Sequence, residues 1–119
     1  MKKLKTSTLK NKLWLVFSAY IRKRDKGKCF TCNKTRLKGR LYNAGHFLPK
    51  SVSGLELYFH EDNVHGQCIG CNLAWQGHQY LYGKKLGEEK CEELFSLIGK
   101  GEWSTQDYLD KIELYKKRI

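Results

Sequence analysis

A chain of 119 residues with 40% hydrophobic and 13% aromatic content fits one domain with a small core, which excludes a disordered chain and two ordinary domains. Its net charge of +11 favours a polyanion, most often nucleic acid, as partner; the alternative is a merely soluble basic surface. No apolar run approaches the ~18 residues of a membrane span and no signal peptide is apparent, so we expect an intracellular protein without a membrane partner.

The basic residues are concentrated at the start of the chain. Residues 1–28 carry ten Lys or Arg against one Asp, and residues 1–10 are predicted to form a loose basic arm. Helical spacing of apolar residues then predicts a helix from Asn11, its N-cap, to about residue 24. Its last turn contains cations that either suit the helix dipole or contact a DNA backbone: Arg22, Lys23 and Arg24.

Four of the five cysteines form two Cys-x-x-Cys pairs. Cys29 with Cys32 and Cys68 with Cys71 have the spacing of a four-cysteine structural zinc site, whereas a redox dithiol would need only one pair. Cys91 falls on the apolar face of a predicted helix and is interpreted as a small core residue.

Strands and helices alternate between and after the cysteine pairs. We predict strands over residues 41–48 and 55–59, and helices over 72–82, 88–98 and from a Ser104 cap onward. The fold class is therefore α+β, within a single domain spanning 1–119. It comprises a zinc-held core over 29–82, an N-terminal helix, and C-terminal helices over 88–117.

Three polar residues flank these elements in a pattern that suits phosphodiester hydrolysis. That reaction needs a base for water, a divalent cation and a group that orients the base. His46 at a strand end is the candidate base, and Asn63 and Asn72 stand before and after the second cysteine pair. Taken singly, each has an ordinary structural reading: a hydrogen-bonded strand histidine, a turn residue and a helix N-cap.

The run Ala44-Gly45-His46, then Asn63, then Cys68-Ile-Gly-Cys71-Asn72 resembles the HNH nucleases, whose ββα-metal core often contains a four-cysteine zinc. Over roughly residues 14–98 the chain resembles the phage NinG (Rap) recombination family more narrowly, through Ala44-Gly-His-Phe47 and Leu57-Tyr-Phe-His-Glu-Asp-Asn63-Val-His65-Gly-Gln-Cys68. The resemblance implies a Mg²⁺- or Mn²⁺-dependent endonuclease for branched DNA, acting in the bacterial cytoplasm. It implies His46 as general base, Asn63 as its positioning residue and Asn72 as a ligand of the catalytic metal.

Two positions depart from the HNH pattern. Gly45 occupies the place where many HNH enzymes have an acidic or histidine ligand, and Trp75 replaces a frequent lysine. The second metal ligand is therefore left open among Asn43, His65 and His78, and the two histidines could equally contact phosphate or lie on the surface. A zinc-stabilised DNA-binding module without cleavage is the main alternative function, and a zinc-dependent protein-interaction module is a third. A homodimer is an option by analogy with enzymes that cut both strands of a junction.

Overall fold

The computed structural model describes residues 5–119. A two-stranded antiparallel sheet lies among five α-helices in this part of the chain. The elements in chain order are α1 (Thr6–Asp25), a 3₁₀ turn (Gly39–Leu41), β1 (Tyr42–His46), α2 (Lys50–Tyr58), β2 (Val64–Cys68), a π-helical turn (Gly70–Ala74), α3 (Gln79–Leu86), α4 (Glu88–Phe95) and α5 (Thr105–Arg118).

Helix α1 begins at Thr6, five residues before the predicted N-cap. Leu9 is completely buried and continues the stripe of Leu13 and Phe17 at intervals of four residues, so the apolar face reaches into the expected arm. The loose arm is therefore wrong from Thr6 onward, and residues 1–4 lie outside the described residues. The helix ends where Lys26 adopts a left-handed conformation with φ of 54°.

The second strand, β2, begins five residues after the end of the predicted one. Strand β2 pairs antiparallel with β1, with His46 opposite Val64 and Tyr42 opposite Cys68. The segment predicted as that strand, residues 55–59, belongs instead to α2, so the prediction was wrong. Its apolar residues alternate, but the segment begins with a kink at Gly54, whose φ is 67°, and helical turns follow that bury Leu57.

The helix predicted directly after the second cysteine pair is divided in two. A single π-helical turn is followed by a break at Gly77 and His78, which both have positive φ, before α3 begins at Gln79. The later helices match their predictions more closely. Ser104 and Asp107 form the expected capping box of α5, whose buried side chains are those predicted: Tyr108, Ile112 and Tyr115.

Two apolar clusters flank the sheet. Helices α1 and α5 pack together with Phe59 and Val64, while Tyr82 and Leu94 pack with Phe47 on the other side. Cys91 packs against this second cluster, as predicted. Among residues 5–119 no helix is both long enough and apolar enough to cross a membrane. The fold is thus a mixed α+β arrangement in which the short sheet carries His46 at the end of β1 and Cys68 at the end of β2.

Candidate metal centre and active site

The four paired cysteines converge although 35 residues separate the pairs. Their Sγ atoms all lie within 4.8 Å of one another, and those of Cys32 and Cys68 are 3.7 Å apart. The chain turns after α1 to bring the first pair beside the end of β2, where the second pair lies. Four convergent sulfur donors fit a tetrahedral metal ion, so this cluster could hold the predicted structural metal.

Backbone N–H groups point at two of these sulfurs. The N–H of Cys32 donates to Cys29 Sγ at 3.5 Å, and that of Cys71 donates to Cys68 Sγ at 3.4 Å. Burial opposes ionisation of Cys29, but the Cys32 N–H and the Thr31 hydroxyl outweigh it and lower the pKa of this thiol to about 6. Cysteine binds metal ions as the thiolate, so the lowered pKa of Cys29 favours the form that binds metal.

His46 lies at the end of β1 in an aromatic cage. Its ring stacks on Trp14 at 5.2 Å between centroids, and its Nε2 lies 2.9 Å from the carbonyl oxygen of Tyr58. A carbonyl oxygen only accepts, so Nε2 must carry the hydrogen and Nδ1 of the neutral ring is the basic nitrogen. Burial, with a smaller contribution from the nearby cation of Lys50, lowers the pKa of His46 to about 4. The ring is therefore neutral at physiological pH.

An open pocket of about 350 Å³ joins His46 to Asn72. Lys50, Gly77 and Gln79 also line it, so an anion in the pocket would meet a cation and the candidate base together. The structure thus brings two of the three predicted catalytic residues to one surface. A second pocket, of about 340 Å³ beside Lys28, contains none of these three residues.

The side chain of Asn63 forms its hydrogen bonds with backbone groups and not with the ring of His46. It is completely buried, and its side chain forms hydrogen bonds with backbone groups of Leu48 and Leu57. Its own carbonyl accepts from the N–H of Phe47 at 2.8 Å. Asn63 therefore fixes the backbone that follows His46 and the end of α2, rather than the imidazole itself.

Gln67 and Gly45 complete this region, and the sequence analysis did not identify Gln67. Its side chain is fully buried, and Oε1 has no hydrogen-bond donor among residues 5–119. Gln67 Oε1 and Asn72 Oδ1 both lie under 3.0 Å from the point where a Cβ on residue 45 would stand. A buried oxygen without a hydrogen-bond partner is unusual in a folded protein, and it marks Gln67 as a candidate functional residue. The sequence does not reveal this feature, because it depends on which groups the fold brings near Gln67.

The two further histidines are separated from the pocket. His65 stacks on Phe30 at 4.0 Å, and its Nδ1 lies 3.0 Å from the hydroxyl of Tyr82. Burial lowers the pKa of His65 to about 4, since that environment disfavours the charged ring. His78 is half-buried beside Trp75 in a left-handed conformation. Neither residue lines the pocket of His46 and Asn72.

The cations at the end of α1 have different environments. The guanidinium of Arg24 donates to the carboxylate of Asp25 and to the carbonyl oxygens of Glu61 and Val64, at 2.7 to 3.1 Å. These bonds occupy it inside the protein. Lys23 is exposed, with Nζ 3.5 Å from the carbonyl of Arg118. The predicted basic patch is thus only partly available to a partner.

Lys50 is a second residue that the sequence analysis missed. Its Nζ lies 4.9 Å from the ring centroid of Trp14, the same ring that stacks on His46, and Lys10 Nζ lies 4.3 Å from that of Tyr58. Lys50 is therefore beside the candidate base, and Lys10 lies over Tyr58, whose ring packs against His46. In the sequence, Lys50 could have been identified from its position four residues after His46. The structure places it at the start of α2.

The chain is similar to phage proteins of one family. The family described as NinG: Bacteriophage Lambda NinG protein matches residues 1–119. Protein ninG of Escherichia phage lambda is 28% identical over 95 residues, covering 76% of this chain and 45% of the relative. Proteins of the same name from Enterobacteria phage VT2-Sa and Salmonella phage P22 are also 28% identical over 95 residues and 76% of this chain, with 46% and 45% of each relative covered. The chain thus spans about half the length of these curated relatives, and no solved structure matches it.

Proposed function

The chain belongs to the NinG family, and on that premise we propose that it is a metal-dependent DNA endonuclease acting on branched or recombination-intermediate DNA. The observation that carries this proposal is the pocket that joins His46, Lys50 and Asn72. It combines a base, a cation for phosphate and an oxygen ligand for a metal, which are the groups that phosphodiester hydrolysis requires.

In this mechanism His46 is the general base. Its neutral ring presents Nδ1 as acceptor because Nε2–H is bound to the Tyr58 carbonyl, so the imidazole can take a proton from water without changing tautomer. Stacking on Trp14 fixes the plane of the ring. Lys50 places its charge beside this ring and would hold a phosphate of the scissile strand within reach.

The two metals have separate roles in the proposal. Cys29, Cys32, Cys68 and Cys71 would hold a zinc ion, and a site of four cysteine ligands would be structural. Asn72 would hold Mg²⁺ or Mn²⁺ at the pocket, because its amide oxygen suits a hard cation. When bound there it supplies a Lewis acid that takes up negative charge at the phosphate.

The test is cleavage of defined DNA. Purified protein with linear, flapped or four-way-junction DNA should cut the branched substrates with Mg²⁺ or Mn²⁺ and not with EDTA. The matched control is His46→Ala, which should bind the same DNA without cutting it.

Gly45 favours a second candidate, a zinc-stabilised DNA-binding module without cleavage. With glycine before the histidine, the backbone offers no side-chain ligand at that position. Wild-type protein that binds all three DNAs and cuts none of them with either metal would establish this alternative in place of the nuclease.

A further inference from the structure

The two ends of the Gln67 amide differ: its nitrogen is held by hydrogen bonds, whereas its oxygen has no hydrogen-bond donor among the described residues. Its Nε2 donates to the carbonyl of Gly77 at 2.9 Å and to Thr31 Oγ1 at 3.1 Å. The Gly77 carbonyl only accepts, so the amide nitrogen must face it and the oxygen must face the opposite way. Oε1 then points toward Gly45 with no donor from residues 5–119.

The neighbouring amide of Asn72 is directed to the same place. Its Oδ1 and Gln67 Oε1 both approach the position that a Cβ would fill on residue 45, and the Gln67 oxygen occupies that position because residue 45 is glycine. Asn72 also lines the pocket that contains His46. Asn72 therefore connects the buried oxygen of Gln67 to the pocket of the candidate base.

We propose that Gln67 Oε1 and Asn72 Oδ1 together are the protein ligands of the divalent cation, so that Gln67 replaces the ligand absent at Gly45. This inference rests on the proposed nuclease function, which it deepens. Amide oxygens are ordinary ligands for hard cations, and Mg²⁺ sites commonly use one or two protein oxygens, several waters and substrate phosphate. Gly45 is then a requirement of the site, because a side chain there would displace the oxygen of Gln67.

The arrangement also links the two metal sites. Thr31 Oγ1, which accepts from Gln67 Nε2, lies 3.4 Å from Cys29 Sγ. The four-cysteine cluster thus holds the residue that orients the cation ligand. Loss of zinc would therefore release Gln67 as well as the cysteine pairs.

Asn43 supplies the competing explanation of the unpaired oxygen. It lies opposite Gln67 in the strand register, and its buried Nδ2 also lacks an acceptor among the described residues. The two amides form no hydrogen bond with each other. If Gln67 serves only to pair with Asn43, substituting either residue would alter stability and leave cation affinity unchanged.

The experiment measures Mn²⁺ binding directly, by loss of the EPR signal of free Mn²⁺ on titration into zinc-loaded protein. Gln67→Met removes the oxygen at similar volume and should weaken Mn²⁺ binding at least tenfold. Gln106→Met is the control, because Gln106 is exposed on α5, outside the pocket, and the same substitution there should leave the affinity unchanged. Asn72→Asp adds a negative charge at the second ligand and should strengthen binding at least tenfold. Zinc content and thermal unfolding are measured for each variant.

The outcomes separate this proposal from the nuclease. Wild-type Mn²⁺ affinity in folded Gln67→Met would overturn the assignment of Gln67, even if the wild type cuts DNA. Should Gln67→Met lose its zinc or fold, Asn72→Asp decides, and no gain in Mn²⁺ affinity would overturn the site. If the wild type binds no Mn²⁺ at millimolar concentration, the proposed cation site is also overturned. A protein that binds Mn²⁺ through Gln67 and cuts no DNA would retain the site and refute the nuclease.

Discussion

Asn63 binds both backbone polar groups of Leu48, accepting from its N–H at 2.8 Å and donating to its C=O at 3.2 Å. A third hydrogen bond, to the carbonyl of Leu57 at 3.0 Å, extends the same buried amide to α2. One side chain thus fixes the two segments that hold His46 and its partner Tyr58.

Asn63→Ala should destabilise the protein by about 2 kcal/mol, because it leaves the buried N–H of Leu48 without an acceptor and an unsatisfied buried group costs about 1–3 kcal/mol. The carbonyls of Leu48 and Leu57 each lose one donor but keep another, from Ser53 and His60 respectively. Urea unfolding checks the change. Asn11→Ala, at an exposed position on α1, is the control and should stay within about 0.5 kcal/mol of wild type. Equal stabilities for the two variants would show that the hydrogen bonds of Asn63 do not stabilise the fold.

Metal analysis should find about one zinc per chain, and Cys68→Ser should lose both zinc and fold, since binding energy at such sites is largely folding energy. Cys91→Ser is the matched control, because Cys91 lies outside the cluster and should retain zinc. A soluble, well-folded Cys68→Ser protein without zinc would show that the cluster is not a structural metal site.

His46→Ala should lower DNA cleavage by ~10²-fold or more, the usual contribution of a general base, while zinc content and DNA affinity persist. His78→Asn serves as control, because asparagine tolerates the left-handed backbone there and His78 does not line the pocket. Cleavage of junction DNA by His46→Ala at the wild-type rate would refute the assignment.

The pH dependence of stability should reveal the buried state of His46. Its pKa is about 4 in the folded protein against about 6.5 when unfolded, so the unfolded chain binds the proton more tightly. Its contribution is therefore complete above pH 6.5 and is lost as pH falls toward 4, by at most about 3 kcal/mol. Urea unfolding of wild type and His46→Gln across this range gives the difference, and parallel curves would contradict the burial.

The lowered pKa of His46 also affects the pH dependence of cleavage. The sequence alone would predict a rate that rises through the pH range in which an ordinary histidine titrates, whereas the structure predicts no rise there. The base is already neutral at pH 6, so the rate controlled by His46 should rise between about pH 4 and 5 and be level above it. Single-turnover rates from about pH 4 to 8 measure the profile. A midpoint near 6.5 would indicate an exposed imidazole.

DNA affinity should fall steeply with salt, because bound lysines release counterions from phosphates. Lys50→Ala should weaken binding to every sequence and reduce the slope of log K against log[salt] by about 1. Arg24→Ala should instead lower stability, because the guanidinium holds three internal partners. Fluorescence anisotropy at several salt concentrations separates the two effects, and an unchanged slope for Lys50→Ala would remove it from the interface.

The sequence by itself determined the parts of this protein that depend on local spacing. Paired cysteines, the capping box at Ser104 and the apolar periodicity of α1 and α5 each act over a few residues, so their patterns can be read directly. The same spacing placed His46 at the end of a strand and Asn72 directly after the second cysteine pair.

Only the tertiary structure decided which segments pair and which polar groups remain unsatisfied. Residues 55–59 have a strand-like alternation, yet β1 pairs with Val64–Cys68, whose polar His65 and Gln67 hide it from pattern analysis. Arg24 is internal because carbonyls distant in the chain converge on it, and Gln67 is significant because no donor converges on its oxygen. Such partners are set by long-range packing, which no local pattern in the sequence encodes.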